Sequence, residues 1–425
     1  MRAPNKGASD AKEQTILFVD IRFDRVCSDP QCRRGEFADT TMRLKTGVQP
    51  VLLGGGMRMI ILVYLLLGVF YTASSALAAS ATPGVQRSKQ EAEAKGYVFL
   101  SSHDEIVKLA KQEARVDGIV SLDPDTFGPL IKAFRIRYPF LDLRLREVTG
   151  TEATQRFLLE VQSGTAQADF TYISEDFYKG FITRGKKFDI LGMAEQGVLS
   201  IPLKMIDPLS RKAISAATIF AAVAFNKCLV EPAKVPERWE DFLKPELKGK
   251  KFFVDIRPFH YQSFAAGAGE EWMLDYAQKI AAQEPVWIRG ASRVLTQIAA
   301  GEYQLHSGIN YHSTMRAKEK DKTGCLDLKI IEPVPVRLSE PQMIVETAKR
   351  PHAALLWLEF LASTEAQVII DKHEPLKSSI YASGSAVEKL IRGKKIWLKD
   401  WKHYEKGPDW MGMAVTAFGF PKAGP

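Results

Sequence analysis

The sequence predicts an α/β protein of two lobes, and three observations carry that reading: its length, an alternation of strands and amphipathic helices from Ser101, and a second alternation from Phe252. At 425 residues the chain is long for one average domain and suits two. Hydrophobic residues make up 46% and charged residues 25%, which excludes disorder, collagen and a multispan membrane protein. The formal net charge is +8, and no Lys/Arg-rich stretch concentrates it. A nucleic-acid partner, which needs such a footprint, is therefore not expected.

In the first unit, Ser101 or Ser102 can cap a helix whose Ile106, Leu109, Ala110 and Ala114 share a face, closing at Asp117-Gly118. A strand Gly118–Leu122 leads to a second helix with Phe127, Leu130, Ile131, Phe134 and Tyr138 as its apolar stripe, ended by Pro139. Along Leu141–Val148, Leu141, Leu143 and Leu145 alternate with Asp142, Arg144 and Arg146, the pattern of a strand with one buried face. Thr149-Gly150-Thr151 turns into a helix carrying Ala153, Phe157, Leu158 and Val161, and Ala168–Ile173 gives another strand. This order predicts a parallel sheet covered by helices.

A long apolar stretch, Ala216–Phe225, ends the first unit. The second is expected to contain a helix around Trp239–Leu243, a strand Phe252–Ile256, helices near Glu270–Gln283 and Arg293–Gly301, and a strand Tyr303–Ile309. Beyond it, Leu326–Ile331 and Gln342–Glu346 read as strands, and Ala353–Leu361 and Glu365–Ile370 as helices. Trp397, Trp401, Tyr404, Trp410, Phe418 and Phe420 make the tail aromatic, which predicts packing anchors.

Met59–Tyr71 is apolar, follows Arg58, and exits through the small residues of TASSALAASA. It is short for a span of roughly 20 residues and fits the apolar region of a secretory signal, with cleavage expected after Ala78 or Ala81. Residues 1–56 lack sustained periodicity and read as a spurious or disordered extension before a start at Met57 or Met59. Residues 57–81 are then the signal peptide. Cys228 and Cys325 remain in the exported chain; one follows the outgoing strand and the other precedes the returning one, so they can meet as a disulfide.

No phosphate-binding loop, GxGxxG, GxSxG, HExxH or C-x-x-C motif is present, and the seven histidines are scattered without metal-ligand spacing. No enzyme activity, cofactor or resident metal is expected. What the chain does offer is a set of polar strand-to-helix junctions: Ser121-Leu122-Asp123, Thr149-Gly150-Thr151, Ser174-Glu175, Arg257 with His260, and Arg289-Gly290-Ala291-Ser292. In open α/β sheets such junctions face the ligand, where helix N-termini present free N–H groups. Arg257 and Arg289 can clamp a carboxylate or phosphate through paired donors.

The stretch Val116–Ser174, with its Tyr-Pro helix end and Ala-Asp strand, resembles the opening of type II periplasmic binding proteins of the ferric-ion and related extracellular solute-binding group. Ala221–Arg257, with Trp239-Glu240-Asp241 and Lys248-Gly249-Lys250, looks like the crossover into their second lobe. Ala299–Ser313 and Pro351–Gln367 continue the likeness, which covers about Gly96–His373. The resemblance implies central mixed sheets in two lobes joined by crossing hinge strands: 82–225 and 326–425 in lobe 1, 226–325 in lobe 2. It further implies a monomer that captures a small-molecule or ion ligand between the lobes and docks on the permease of an ABC importer. An anchored sensory receptor is the alternative if the apolar stretch is retained.

By the same resemblance, Tyr311 and His312 are expected in the cleft with Arg257 and Arg289, opposite Ser121, Asp123 and Thr151. Ferric-binding members use paired tyrosines where this chain has Tyr311-His312, and Ser121-Leu122-Asp123 lacks the histidine those proteins place there. The two arginines favour a small organic anion; ferric iron bound by Tyr311 and His312 is the alternative.

Overall fold

The computed structural model describes residues 82–148 and 150–420, so the extension, the signal stretch and both cleavage positions lie outside the described residues. Helix α1 (Pro83–Ala94) precedes α2 (His103–Glu113), which Ser102 caps by accepting the Glu105 N–H at 3.1 Å. Ala114 then adopts a left-handed conformation, which ends α2 and starts β1 (Arg115–Val120) three residues before the expected Gly118. Gly118 has a packing role inside the strand. A Cβ there would lie 1.8 Å from the Phe170 ring, so only glycine lets that ring lie across β1.

Next come α3 (Pro124–Arg137), β2 (Asp142–Glu147), α4 (Thr151–Gln162), β3 (Phe170–Tyr172), and the short α5 (Tyr178–Ile182) and α6 (Ile190–Glu195). Strand β1 pairs in parallel with β2 and β3, as the alternation predicts. The long apolar stretch is β4 (Ala213–Asn226), all 14 residues of which are buried. Its first half, Ala213–Phe220, pairs antiparallel with β9 (Val334–Ile344), and its second half with β7 (Leu305–Asn310) and β8 (Leu326–Lys329). One strand thus belongs to both lobes.

Lobe 2 is built from β5 (Phe252–Asp255), α7 (His260–Ala268), α8 (Glu270–Ala282), β6 (Val286–Ile288), α9 (Ala291–Ala299), β7, α10 (Tyr311–Lys320) and β8. Trp239–Leu243 is a 3-10 turn. The chain returns through β9, then α11 (Pro351–Ala362), α12 (Thr364–His373), α13 (Ala386–Ile391), β10 (Ile396–Lys399) and α14 (Gly407–Ala417). The sheet runs β2-β1-β3-β9-β4-β7-β5-β6, with β8 on β4 and β10 on β9: ten strands, mixed in direction, crossing between lobes on β4 and β9.

Several elements were not expected, among them helix α7 and residues 334–341 of β9. Helix α7 is buried through most of its turns, so no polar face marks its period. The end of β9, residues 342–344, falls in the expected strand Gln342–Glu346, but the rest holds two prolines, Pro335 and Pro341, which argue against a central strand, yet it pairs on both sides.

The tail also departs from the expected return to lobe 1. Trp397, Trp410 and Phe418 pack with Trp239, Tyr261 and Phe264 in the lobe 2 core, whereas Trp401 and Tyr404 between them pack in the lobe 1 core. It straps both lobes. Cys228 and Cys325 are joined as a disulfide with Cα atoms 5.4 Å apart, tying the end of β4 to the start of β8.

Candidate functional site

The carboxyl ends of β1, β2, β3 and β5 and the N-termini of α4 and α10 converge on a cavity of about 400 Å³ between the lobes. Of the residues proposed from the sequence, Ser121, Thr151, Arg257 and His312 line it. Helix α4 opens onto it without a side-chain cap, because its N-cap position is Gly150, at φ 84°. The N–H groups of that first turn and the Thr151 hydroxyl therefore face the cavity as donors.

The other expected residues lie elsewhere. Asp123 caps α3 by accepting the Asp125 N–H at 3.2 Å and forms an ion pair with Arg316 of α10, at a second groove. Arg289 is exposed beyond β6 and does not line the cavity. Tyr311 packs its ring on Phe220 at 4.8 Å, beside Val334 and Val336. At the start of α10, adjacent residues point in different directions, so Tyr311 and His312 do not form a pair of donors.

The cavity also holds residues the sequence did not mark: Tyr172, Phe259, Arg337, Glu340, Lys377 and Tyr404. Arg337 and Glu340 come from the unexpected strand β9, where no junction signal exists. Phe259 is flanked by two guanidinium groups, Arg257 at 5.2 Å and Arg337 at 4.9 Å from its ring centre. Arg257 is engaged across the cleft by Asp176 at 3.3 Å. Lys377 is engaged by Glu374 at 2.5 Å. Buried Lys399, beneath the cavity, is paired with Glu175, and burial pushes its ammonium down to about 8. Arg337 differs. Among the described residues, no carboxylate lies within ion-pair distance of it.

Glu340 forms the floor. Its carboxylate accepts the Ser121 N–H and hydroxyl, both at 2.8 Å, and Gln342 Nε2 at 3.2 Å, while burial pushes its pKa up. The His312 imidazole is held well below its usual range, first by burial and then by Lys377, Arg337 and Arg316, so it is neutral at pH 7. Burial pushes the Tyr172 phenol up to about 12. Neutral hydroxyls and an imidazole around an uncompensated arginine make a hydrogen-bonding site.

This two-lobed frame with a polar cleft at the hinge is the architecture of a solute receptor. The chain belongs to the bacterial extracellular solute-binding proteins, whose family model matches residues 173–404. No curated relative is similar enough in sequence to match. Among solved structures, the fold is similar to that of the Mannheimia haemolytica ferric iron-binding protein A in an open conformation, at 16% identity and TM-score 0.57, covering 72% of this chain and 99% of that one. It is also similar to the Trichodesmium protein IdiA (FutA) in complex with iron and citrate, at 17% identity and TM-score 0.55, covering 71% and 99%. The substrate-binding protein of an ABC transporter from Agrobacterium tumefaciens gives 16% identity and TM-score 0.54, covering 73% and 96%. At these identities the likeness is one of fold.

Proposed function

We propose that the chain is exported to the periplasm, captures a small anionic solute in the interlobe cleft and delivers it to the permease of an ABC importer. The observation that carries the anionic reading is Arg337: a guanidinium stacked on Phe259, lining the cavity without an acidic partner, in the same cavity as the uncapped N-terminus of α4. A desolvated cation of this kind is compensated by an anion that also accepts backbone N–H donors. Ser121, Thr151, Arg257 and His312 supply further donors around it. Asp123, Arg289 and Tyr311 act outside the cavity in this reading.

Relatives in fold bind iron, so ferric ion is the competing reading. It would use phenolates at Tyr172 and Tyr404, but burial raises both phenols, and Arg337 and Lys377 place positive charge in the same cavity. A thermal-shift screen of the mature chain against carboxylates, phosphonates, amino acids, polyamines and ferric iron tests the choice. An anion should raise the melting temperature of the wild type and leave Arg337→Ala unmoved. A shift with ferric iron alone, with visible charge-transfer colour that Tyr172→Phe abolishes, would replace this reading.

A further inference from the structure

We infer that lobe 1 carries a second anion site, apart from the cleft, that binds a phosphate group. A recess of about 660 Å³ lies on lobe 1 and shares no lining residue with the interlobe cavity. Five cations line it: Arg115 from β1, Arg144 and Arg146 from β2, and Lys349 with Arg350 just before α11. No stretch of the sequence is rich in Lys and Arg, yet the fold gathers these three segments at one corner. The parallel register sets Asp117 opposite Arg144 and Ile119 opposite Arg146, on the edge strand β2. Lys349 and Arg350 are fastened beside them by buried Asp169, whose carboxylate accepts their backbone N–H groups at 3.1 and 3.0 Å.

The acids here do not balance the bases. Asp117 is the one acid lining the recess among the described residues, and two guanidinium groups share it, Arg115 at 2.7 Å and Arg350 at 2.8 Å. Asp142, alongside, is likewise shared by Arg144 at 2.8 Å and Arg135 at 2.5 Å. Asp169 is engaged by Arg350 and by backbone N–H groups. Arg146 and Lys349 are exposed, and among the described residues no carboxylate lies within ion-pair distance of either. The Nε of Arg115 is buried without a hydrogen-bond partner among those residues. This is more than a solvated basic fringe, because the Arg350 side chain is only 18% exposed and two carboxylates hold it in place before any ligand arrives. A recess lined by one sign of charge focuses its field on a counter-ion. Phosphate fits the donors: its oxygens accept from several planar guanidinium groups at once, whereas one bidentate fork already fills a carboxylate.

Arg146→Ala/Lys349→Ala tests the site, since both side chains are exposed and neither holds an ion pair among the described residues. The pair of substitutions is made in the Arg337→Ala chain, so that the outcome does not depend on the cleft. Both chains are titrated by calorimetry with inorganic phosphate, and with sodium acetate at equal ionic strength. The Arg337→Ala chain should bind phosphate about 10-fold or more tightly than acetate, and the added pair should weaken phosphate about 10-fold or more. Co-sedimentation with vesicles of phosphatidylglycerol or of phosphatidylcholine then identifies the source of the phosphate. Association with phosphatidylglycerol alone, lost on adding the pair, makes the ligand a lipid headgroup; phosphate binding without vesicle association makes it a soluble phosphate compound. The inference is overturned if neither phosphate nor vesicles bind, or if the pair leaves their binding unchanged. Acetate binding as tight as phosphate, or equal association with both kinds of vesicle, overturns it too.

Discussion

Replacing Arg337 by alanine removes the one cavity arginine that no acid among the described residues engages, so its loss falls directly on the solute. Affinity should drop by about 2 to 5 kcal/mol, with Arg337→Lys recovering part of it because a point charge replaces a planar fork. Arg257→Ala should cost less, since Asp176 already shares that guanidinium, and Arg289→Ala should leave affinity near wild type. Calorimetry with the captured solute ranks the three. A second residue-scale prediction concerns acid. His260 and His306 are buried in lobe 2, and burial depresses each to about 3. Above the unfolded value, roughly 6.5, both states are neutral and the full stability is present. Below it the unfolded chain takes up protons on these two histidines, and on His312, that the folded chain refuses, so stability falls as pH drops from about 6.5 towards 3. The slope is about 1.4 kcal/mol per pH unit for each histidine. Urea unfolding at pH 7.5, 6.5 and 5.5 measures it; a flat profile would mean the two imidazoles are not held neutral.

Among the elements, the disulfide and strand β9 have the largest consequences. Cys228 and Cys325 are 97 residues apart in sequence, and bridging them restricts the unfolded lobe 2. The double variant Cys228→Ser/Cys325→Ser should lose about 2 to 5 kcal/mol, read as a lower melting temperature that reductant imposes equally on the wild type. That the two cysteines meet was legible from their places beside outgoing and returning strands. Helices α2, α3, α4, α8 and α9 were legible too, because each has one apolar face and a solvated one. Helix α7 was not, being buried through most of its turns, and of β9 only the end within Gln342–Glu346 was, because Pro335 and Pro341 are sequence signals against a central strand. The candidate site suffered the same loss. Ser121, Thr151 and Arg257 sit at junctions that a sequence announces, whereas Arg337 and Glu340 sit inside a buried strand with no junction signal, and only the fold brings them to the cavity.

At the scale of the molecule, two acids of lobe 1 meet two bases of lobe 2: Asp123 with Arg316, and Asp176 with Arg257. The polarity is the same each time, so the pairs act together as an attraction across the cleft. Both are partly exposed and open to screening by salt. Small-angle scattering should therefore show a larger radius of gyration at 1 M than at 20 mM sodium chloride. Asp123→Asn/Asp176→Asn should show the larger value at both. An identical radius in every case would mean that packing at β4 and β9, and not charge, sets the separation of the lobes.

Strand order has a temporal consequence as well. In lobe 1, β9 lies between β3 and β4, so the strands made first are separated by one made last. Until residues 334–344 have emerged, β3 and β4 lack their shared neighbour, and α11, whose Trp357 stacks on Phe170, has not yet been synthesised. Lobe 2, from β5 to β8, is continuous in sequence and waits only for its aromatic tail. The vectorially synthesised chain thus completes neither half until residues 397–418, which pack into both cores, have been made, and the two halves are finished together at the end of synthesis.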